Sequence, residues 1–261
     1  MASVTNTEIL TKPAKVKTIL VSQPAPSIEN SPYNQLIDKR KVVIDFRPFI
    51  HVEGVSSREV RLQKIDITQF SAIIFTSRNA VDHFFRLAEE LRYSVPSTMR
   101  YFCQSEAVAY YLQKYVVYRK RKIYVGKRTL DELLKEVVKY KDESFLLPCS
   151  DRLKPNIPEK LDATGINWTK GVFYKTVVSN LSDLRNVYYD ILVFFSPSGI
   201  ESLFHNFADF DQKDTRIAVF GNSTKKAALD KNLRIDILAP TPENPSMTKA
   251  LDDYIAKANK R

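Results

Sequence analysis

Residues Ile191–Ile200 read ILVFFSPSGI, and this stretch decides the fold. The apolar run from Ile191 to Phe195 ends abruptly at Ser196-Pro197-Ser198-Gly199, after which apolar residues recur at Ile200, Leu203, Phe204 and Phe207. A continuous apolar run, a tight polar turn and an i, i+3, i+4, i+7 spacing predict a buried strand, a loop and an amphipathic helix. The same design stands earlier at Ala72–Val81 (AIIFTSRNAV), with Val81, Phe84, Phe85 and Ala88 at the helical spacing. Two copies of one strand–loop–helix unit predict two similar halves, each with a polar loop at a strand end.

Further strands are predicted at Val16–Val21, Lys41–Phe46, Arg100–Cys103, Ser144–Leu147, Gly171–Val178, Arg216–Phe220 and Leu233–Leu238, with a short one after the basic run Arg119-Lys120-Arg121-Lys122. Helices alternate with them. Ser31-Pro32 has the form of an N-cap followed by Pro at the first helical position, and Thr129 with Glu132 forms a capping box. A helix over Ile157–Leu161 is expected to stop near Gly165. Arg47–Val52 reads as extended, Gly54–Thr68 as charged and turn-like, and Met1–Lys15 as a loose tail. Alternating strands and helices give parallel sheets covered on both faces.

The repeat extends further. RYFCQSEAVAYYL matches IAVFGNSTKKAAL, setting Ser105 against Ser223, and RPFIHV matches VFYKTV, setting Phe49 opposite Tyr174. Ser77 matches Ser196. The block that opens the chain has its counterpart after the FTSRNAV block, so the repeat is circularly permuted. Two α/β domains follow, one inserted in the other: 16–48 plus 178–261, and 52–173, with extended crossings near Arg47–Val52 and Phe173–Val178.

Forty Lys and Arg against thirty Asp and Glu leave a formal charge of +10, which favours anionic partners. With 44% hydrophobic residues the chain can build real cores. Cys103 and Cys149 are far apart, and His51, His83 and His205 are scattered, so no metal or disulfide framework is expected. No run approaches the ~18 apolar residues of a membrane span. A soluble, cytoplasmic monomer is the expectation.

Ligands of parallel α/β sheets bind outside the carboxyl ends of the strands. The loops there are Ser22-Gln23, Thr76-Ser77-Arg78-Asn79, Cys103–Glu106, Cys149-Ser150, Ser196–Gly199 and Gly221-Asn222-Ser223-Thr224. They are rich in small hydroxyl side chains and open helices, whose first N–H groups attract anions. Ser and Thr are equally the best N-caps, so any one loop has a purely structural explanation. Six together favour a ligand with several anionic groups. Gly-rich dinucleotide and P-loop patterns are missing, and SPSG lacks the Gly that precedes a nucleophile-elbow Ser.

FTSRNAV, LPCSDRLKPNIPEKL, FYKTV, FFSPSGI, FGNSTKKAAL and NPSMTKAL, in this order, resemble the uroporphyrinogen-III synthase family over nearly the whole chain after the tail. The resemblance implies two flavodoxin-like parallel-sheet domains, one inserted in the other and joined by two extended strands, and a cofactor-free lyase that cyclises the linear tetrapyrrole hydroxymethylbilane, feeding tetrapyrrole pathways to heme or cobalamin. Loss of the terminal hydroxyl leaves an azafulvene cation. Attack at the substituted carbon of the last pyrrole gives a spiro intermediate, and fragmentation and reclosure invert that ring. The family's Tyr-x-Thr pattern falls on Tyr174 and Thr176, implying Tyr174 as the group that assists departure of the hydroxyl. The implied receptor is a polyanion-binding cleft lined by Thr76, Ser77, Ser105, Cys149, Ser150, Ser196, Ser198, Gly199, Gly221, Asn222, Ser223 and Thr224.

Three loops depart from the family pattern. Ser22-Gln23 stands for Thr-Arg, Gly221-Asn222-Ser223-Thr224 for Gly-Pro-Thr-Thr, and Cys103-Gln104-Ser105-Glu106 replaces a loop that begins with Gly. A side chain at Cys103 and the charge of Glu106 would hinder close approach of an anion. They favour the alternative of a non-catalytic protein of this fold that binds tetrapyrrole or another polyanion. Nucleic-acid binding by the Arg119–Lys122 cluster, flanked by Tyr118 and Tyr124, has no known module around it and is not expected.

Overall fold

The structure, a computed structural model, describes residues 15–27, 30–117, 119, 121–126 and 129–260. The expected tail, apart from Lys15, and Tyr118 and Lys120 of the basic cluster lie outside the described residues. The chain opens with β1 (Thr18–Val21), α1 (Pro32–Arg40), β2 (Val43–Phe46), β3 (Ile50–Gly54), α2 (Ser57–Leu62), β4 (Ala72–Phe75) and α3 (Arg78–Glu90). It continues through β5 (Arg100–Cys103), α4 (Glu106–Leu112), β6 (Ile123–Val125), α5 (Leu130–Val137), β7 (Ser144–Ser150), α6 (Asn156–Asp162) and β8 (Asn167–Val178). The last elements are β9 (Ile191–Phe194), α7 (Pro197–Asn206), β10 (Arg216–Phe220), α8 (Asn222–Asp230), β11 (Ile235–Ala239) and α9 (Met247–Ala258).

The described residues fall into two compact units, one within Met1–His51 and Val178–Arg261, the other within Val52–Val177. In the first unit the strands lie in the order β2-β1-β9-β10-β11, and every neighbouring pair is parallel. Taken by appearance this is 2-1-3-4-5, the flavodoxin-like order. In the second unit β8-β7-β4-β5-β6 repeats the same spatial order with parallel pairs, but its first two positions are filled by the last strands of the unit. β3 adds an edge beside β8.

Both faces of each sheet are packed. Ile19, Val21, Ile191 and Val193 meet α1 and α9 on one face of the first sheet, while Leu20, Leu192, Phe194 and Ile217 meet α7 and α8 on the other. In the second unit, Ile73, Phe75 and Leu146 pack with Val81, Phe84 and Leu87 of α3, and Ile74, Phe102, Phe145 and Leu147 with α5. Phe75, Phe84, Phe102, Phe145 and Phe194 are fully buried, each contributing roughly 1.5–3 kcal/mol by leaving water. This is why the strands read as unbroken apolar runs.

Two local expectations change, and one is met. Residues Gly54–Thr68 contain α2, whose Ser56 hydroxyl and Glu59 carboxylate form a reciprocal capping box. The strand expected from Gly171 begins at Asn167. Gly165 does adopt a left-handed φ of +69°, three residues after α6 ends.

Candidate active site

Tyr174 is placed by an irregularity in β8. Cys149 pairs with Val172, but the next residue of β7, Ser150, pairs with Tyr174, so Phe173 is an extra residue in β8. A bulge breaks the alternation of side chains and re-aims one of them. As a result Phe173 and Tyr174 both join the core against α3, instead of pointing to opposite faces. The Tyr174 phenol oxygen then lies 3.0 Å from Ser77 Oγ at the head of α3. Its ring stacks on the His83 imidazole one and a half turns along the same helix, with centroids 5.1 Å apart at 18°.

The backbone around Tyr174 is also held. The Asp151 N–H donates to the Tyr174 carbonyl at 3.2 Å, and the Asp151 carboxylate accepts from the Thr176 N–H at 3.1 Å. Burial raises the pKa of the phenol, an effect that outweighs the lowering by Ser77. Tyr174 is therefore protonated throughout the neutral range and is equipped to donate a proton.

Ser77 is the N-cap of α3, and its Oγ accepts the Ala80 N–H at 3.1 Å. Thr76 precedes it, half-buried, and Arg78 and Asn79 are exposed on the first turn. The Arg78 guanidinium lies 5.6 Å from the centre of the Tyr111 ring, whose hydroxyl donates to the Asp82 carboxylate at 2.8 Å. Arg78 thus has a prearranged aromatic seat beside the loop. Ser105 opens α4, half-buried and making no side-chain cap bond, and Ser150 Oγ accepts the Arg152 N–H at 3.2 Å.

In the other unit Ser196 repeats the role of Ser77. It has the same extended backbone, φ −151° against −156°, and accepts the Gly199 N–H at 3.2 Å. Gly199 is buried, and a Cβ there would sit 3.4 Å from Phe194 and 3.6 Å from the Ser22 hydroxyl. These are ordinary van der Waals distances. Ser198 is half-buried on the first turn. Gly221 is the N-cap of α8 with φ +84° and no side-chain cap, so the first turn of this helix keeps its N–H groups clear of a capping side chain. Asn222 and Ser223 are exposed there.

Several sequence expectations are corrected by burial and register. Cys149 is 1% exposed in the core of β7, and burial pushes its thiol pKa up to about 11, so its side chain does not face a ligand. Thr224 is fully buried on the inner side of α8, and its hydroxyl likewise does not line a surface loop. Cys103 also points into the core, its thiol pushed up to about 12, and so does not obstruct its loop; Glu106 does stay exposed at the start of α4. Phe75 pairs with Cys103 and Phe194 with Val219, which sets Ser105 against Gly221 rather than Ser223. Both are N-caps. The same reasoning aligns Phe49 with Phe173, both buried, and leaves Tyr174 as the residue displaced by the bulge.

His83 is expected from the sequence only as one of three scattered histidines, and it lies half-buried on α3, where the bulge brings the Tyr174 ring to meet it. No helix among the described residues is long and apolar enough to cross a membrane.

These features define a class: parallel α/β units with anion-ready helix starts at their strand ends, one of them carrying a buried, protonated phenol. The particular family follows from comparison with known proteins. The family described as "Uroporphyrinogen-III synthase HemD" matches residues 31–249, and the chain belongs to it. Uroporphyrinogen-III synthase of Chlorobaculum parvum is 23% identical over 92% of this chain and 100% of its own length. The Saccharomyces cerevisiae enzyme is 26% identical over 48% of this chain and 50% of its own. Among solved structures, the Helicobacter pylori uroporphyrinogen-III synthetase superposes with a TM-score of 0.58 at 19% identity, covering 92% of this chain and 99% of that one. A mutant Thermus thermophilus synthase gives 0.53 at 13% identity, covering 94% and 100%. At these identities the structural likenesses speak for the fold.

Proposed function

We propose that this chain is a uroporphyrinogen-III synthase, a lyase that closes hydroxymethylbilane with loss of water and inversion of the last pyrrole ring. The observation that carries the reading is the Tyr174 phenol held on Ser77 in a chain of this family. As the carbon–oxygen bond of the terminal hydroxymethyl group breaks, the oxygen takes up a proton and leaves as water. Tyr174 supplies that proton, its phenol kept neutral by burial. The electron pair of the pyrrole nitrogen fills the vacated position, giving the azafulvene cation. The substituted carbon of the last pyrrole then attacks to give the spiro intermediate, the ring is inverted by fragmentation and reclosure, and the proton that its α-carbon sheds on regaining aromaticity balances the one given up by Tyr174.

Binding belongs to the strand-end loops of each unit. Ser196–Gly199 and Gly221–Ser223 offer amide and hydroxyl donors to carboxylates in one, and Thr76, Ser77, Ser105 and Ser150 do so in the other. For Cys149 and Thr224 only the backbone takes part. The burial of Cys103 removes one of the two features that favoured a protein that binds without turnover. Action as a monomer in the aqueous cytoplasm belongs to the same reading.

The test is the isomer ratio. Purified protein should convert hydroxymethylbilane mainly to the type III isomer, where a control without protein gives type I. An unchanged type I product would end the catalytic reading, and saturable binding alone would leave the binding protein. A second expectation concerns Arg78, seated on Tyr111. Arg78→Ala should raise KM about fivefold and leave kcat nearly unchanged, because one charge-assisted carboxylate contact of about 1 kcal/mol is lost from ground and transition states alike.

A further inference from the structure

His83 lies between two fixed groups. On one side the Arg86 Nε–H donates to its Nδ1 at 3.4 Å, which leaves the imidazole proton on Nε2. On the other side its ring is stacked on Tyr174. Arg86 is itself anchored three ways: to His83, to the Glu90 carboxylate at 2.7 Å, and to the Val55 carbonyl at 2.6 Å. Glu90 in turn accepts the Ser57 N–H at 3.0 Å, and the Val55 N–H donates to the Phe173 carbonyl at 2.9 Å. The bulge and the helix are thus tied together on both sides of the imidazole.

Tyr174 needs such a support. It follows the bulged residue Phe173, where the regular alternation that fixes a strand side chain is broken, and among the described residues its hydroxyl is held by Ser77, which restrains only the tip of the ring. A swing about the Cα–Cβ bond would carry the hydroxyl off Ser77, and a flat ring stacked on one face of the phenol opposes that swing. The equivalent position in the other unit, six residues after the capping Ser196, is Ser202, whose hydroxyl donates to the Phe49 carbonyl at 2.6 Å. There the fold is served by a small side chain. An aromatic ring stands at this position in the unit that carries the phenol.

We propose that His83 is a positioning residue for Tyr174: its imidazole, fixed by Arg86, stacks on the phenol and holds the hydroxyl at Ser77 in the orientation from which it donates its proton. The inference rests on the reading of Tyr174 as proton donor. Burial, and to a lesser degree Arg86, hold the imidazole below its ordinary pKa against the opposing pull of Asp82. It is therefore a neutral ring at pH 7, suited to stacking.

The proposal is tested in the full chain by a cycle of variants. His83→Ala should lower kcat about tenfold with KM within about twofold of the parent, because orientation is lost and binding is not. His83→Phe, which keeps a flat ring and discards the nitrogen atoms, should recover most of the loss. In the Tyr174→Phe background, His83→Ala should change nothing further, since a residue that acts through another has no effect once that other group is gone. An equal loss in both backgrounds, a rise in KM in place of a fall in kcat, or failure of Phe to restore activity would overturn the proposal.

A second measurement needs no turnover. In protein labelled with 13Cζ-tyrosine, the Tyr174 resonance is identified by its disappearance in Tyr174→Phe. It should move in His83→Ala and return in His83→Phe. A Tyr174 resonance that ignores His83 overturns the proposal even if the enzyme is active. If the parent protein forms only the type I isomer, the functional reading falls, and the spectrum still decides whether His83 positions the ring.

Discussion

Tyr174→Phe should lower kcat about a hundredfold while KM stays nearly constant, the signature of losing a group that acts on the reacting bond and contributes little to holding the substrate. The substitution removes one oxygen and keeps the ring. The stack on His83 and the packing beside Phe173 persist, and Ser77 keeps its capping bond from the Ala80 N–H. The cost in folding stability is therefore only about 1 kcal/mol, that of one hydrogen bond. The active form of the phenol is the protonated one. Since burial raises its pKa, no loss of activity from Tyr174 ionisation is expected until the pH passes above the ordinary phenol value. The most sensitive readout is the product mixture. As the enzymic rate falls towards that of spontaneous closure, the proportion of type I isomer should rise in step with the fall in kcat.

The route from sequence to this residue shows where periodicity informs and where it stops. ILVFFSPSGI and AIIFTSRNAV each become a buried strand, a Ser-capped turn and a helix, with Ser196 and Ser77 in matching geometry. Such stretches are legible because burial, capping and helical spacing all act within a few residues. The Thr129 capping box was legible for the same reason. That at Ser56 and Glu59 was masked by its charged surroundings, since a helix of six residues leaves too short an apolar pattern to detect. Loops at the strand ends could be named in advance, but which side chains face out of them could not. Cys103, Cys149 and Thr224 stand in the same kind of motif as Ser77 and Ser223, and only the packed structure shows them turned inward.

The bulge in β8 is the sharpest case. One extra residue shifts the register by a single position, which no alternation pattern in GVFYKTVV announces. Without it Tyr174 would lie on the face opposite Phe173, away from Ser77 and His83. Aligning the two repeats by sequence placed Tyr174 opposite Phe49, whereas strand pairing places Phe173 there. The tyrosine that the family pattern singles out stands directly after the extra residue, where the second unit departs from the repeat. Repeated packing explains the scaffold; the departure from it brings Tyr174 to Ser77 and His83.

Asp190→Ala should destabilise the chain by about 3–5 kcal/mol, because it removes a half-buried carboxylate that faces the buried Arg216 and strips its attached backbone donors at once. Its Oδ2 accepts the Lys17 N–H at 2.7 Å, the Thr18 N–H at 2.9 Å and the Thr18 hydroxyl at 3.2 Å. Its Oδ1 stands 4.0 Å from Arg216 Nη1, and the Arg216 side chain is only 5% exposed. The Asp190 backbone donates to the Thr18 carbonyl and accepts from the Arg216 N–H. One residue thus joins the starts of β1, β9 and β10, the three central strands of their sheet. Asp190→Asn keeps the shape and one acceptor oxygen, so it should recover part of the loss while removing the negative charge that faces Arg216. In urea, the transition followed by far-ultraviolet circular dichroism should move to lower concentration. Hydrogen exchange should quicken in the amides of β1, β9 and β10 ahead of those in β4 and β5. Asp190 lies at the amino ends of these strands, opposite the loops assigned to binding. The folded fraction of Asp190→Ala should therefore keep the KM of the parent, and a raised KM at full folding would show that the amino ends of the strands also govern the binding loops.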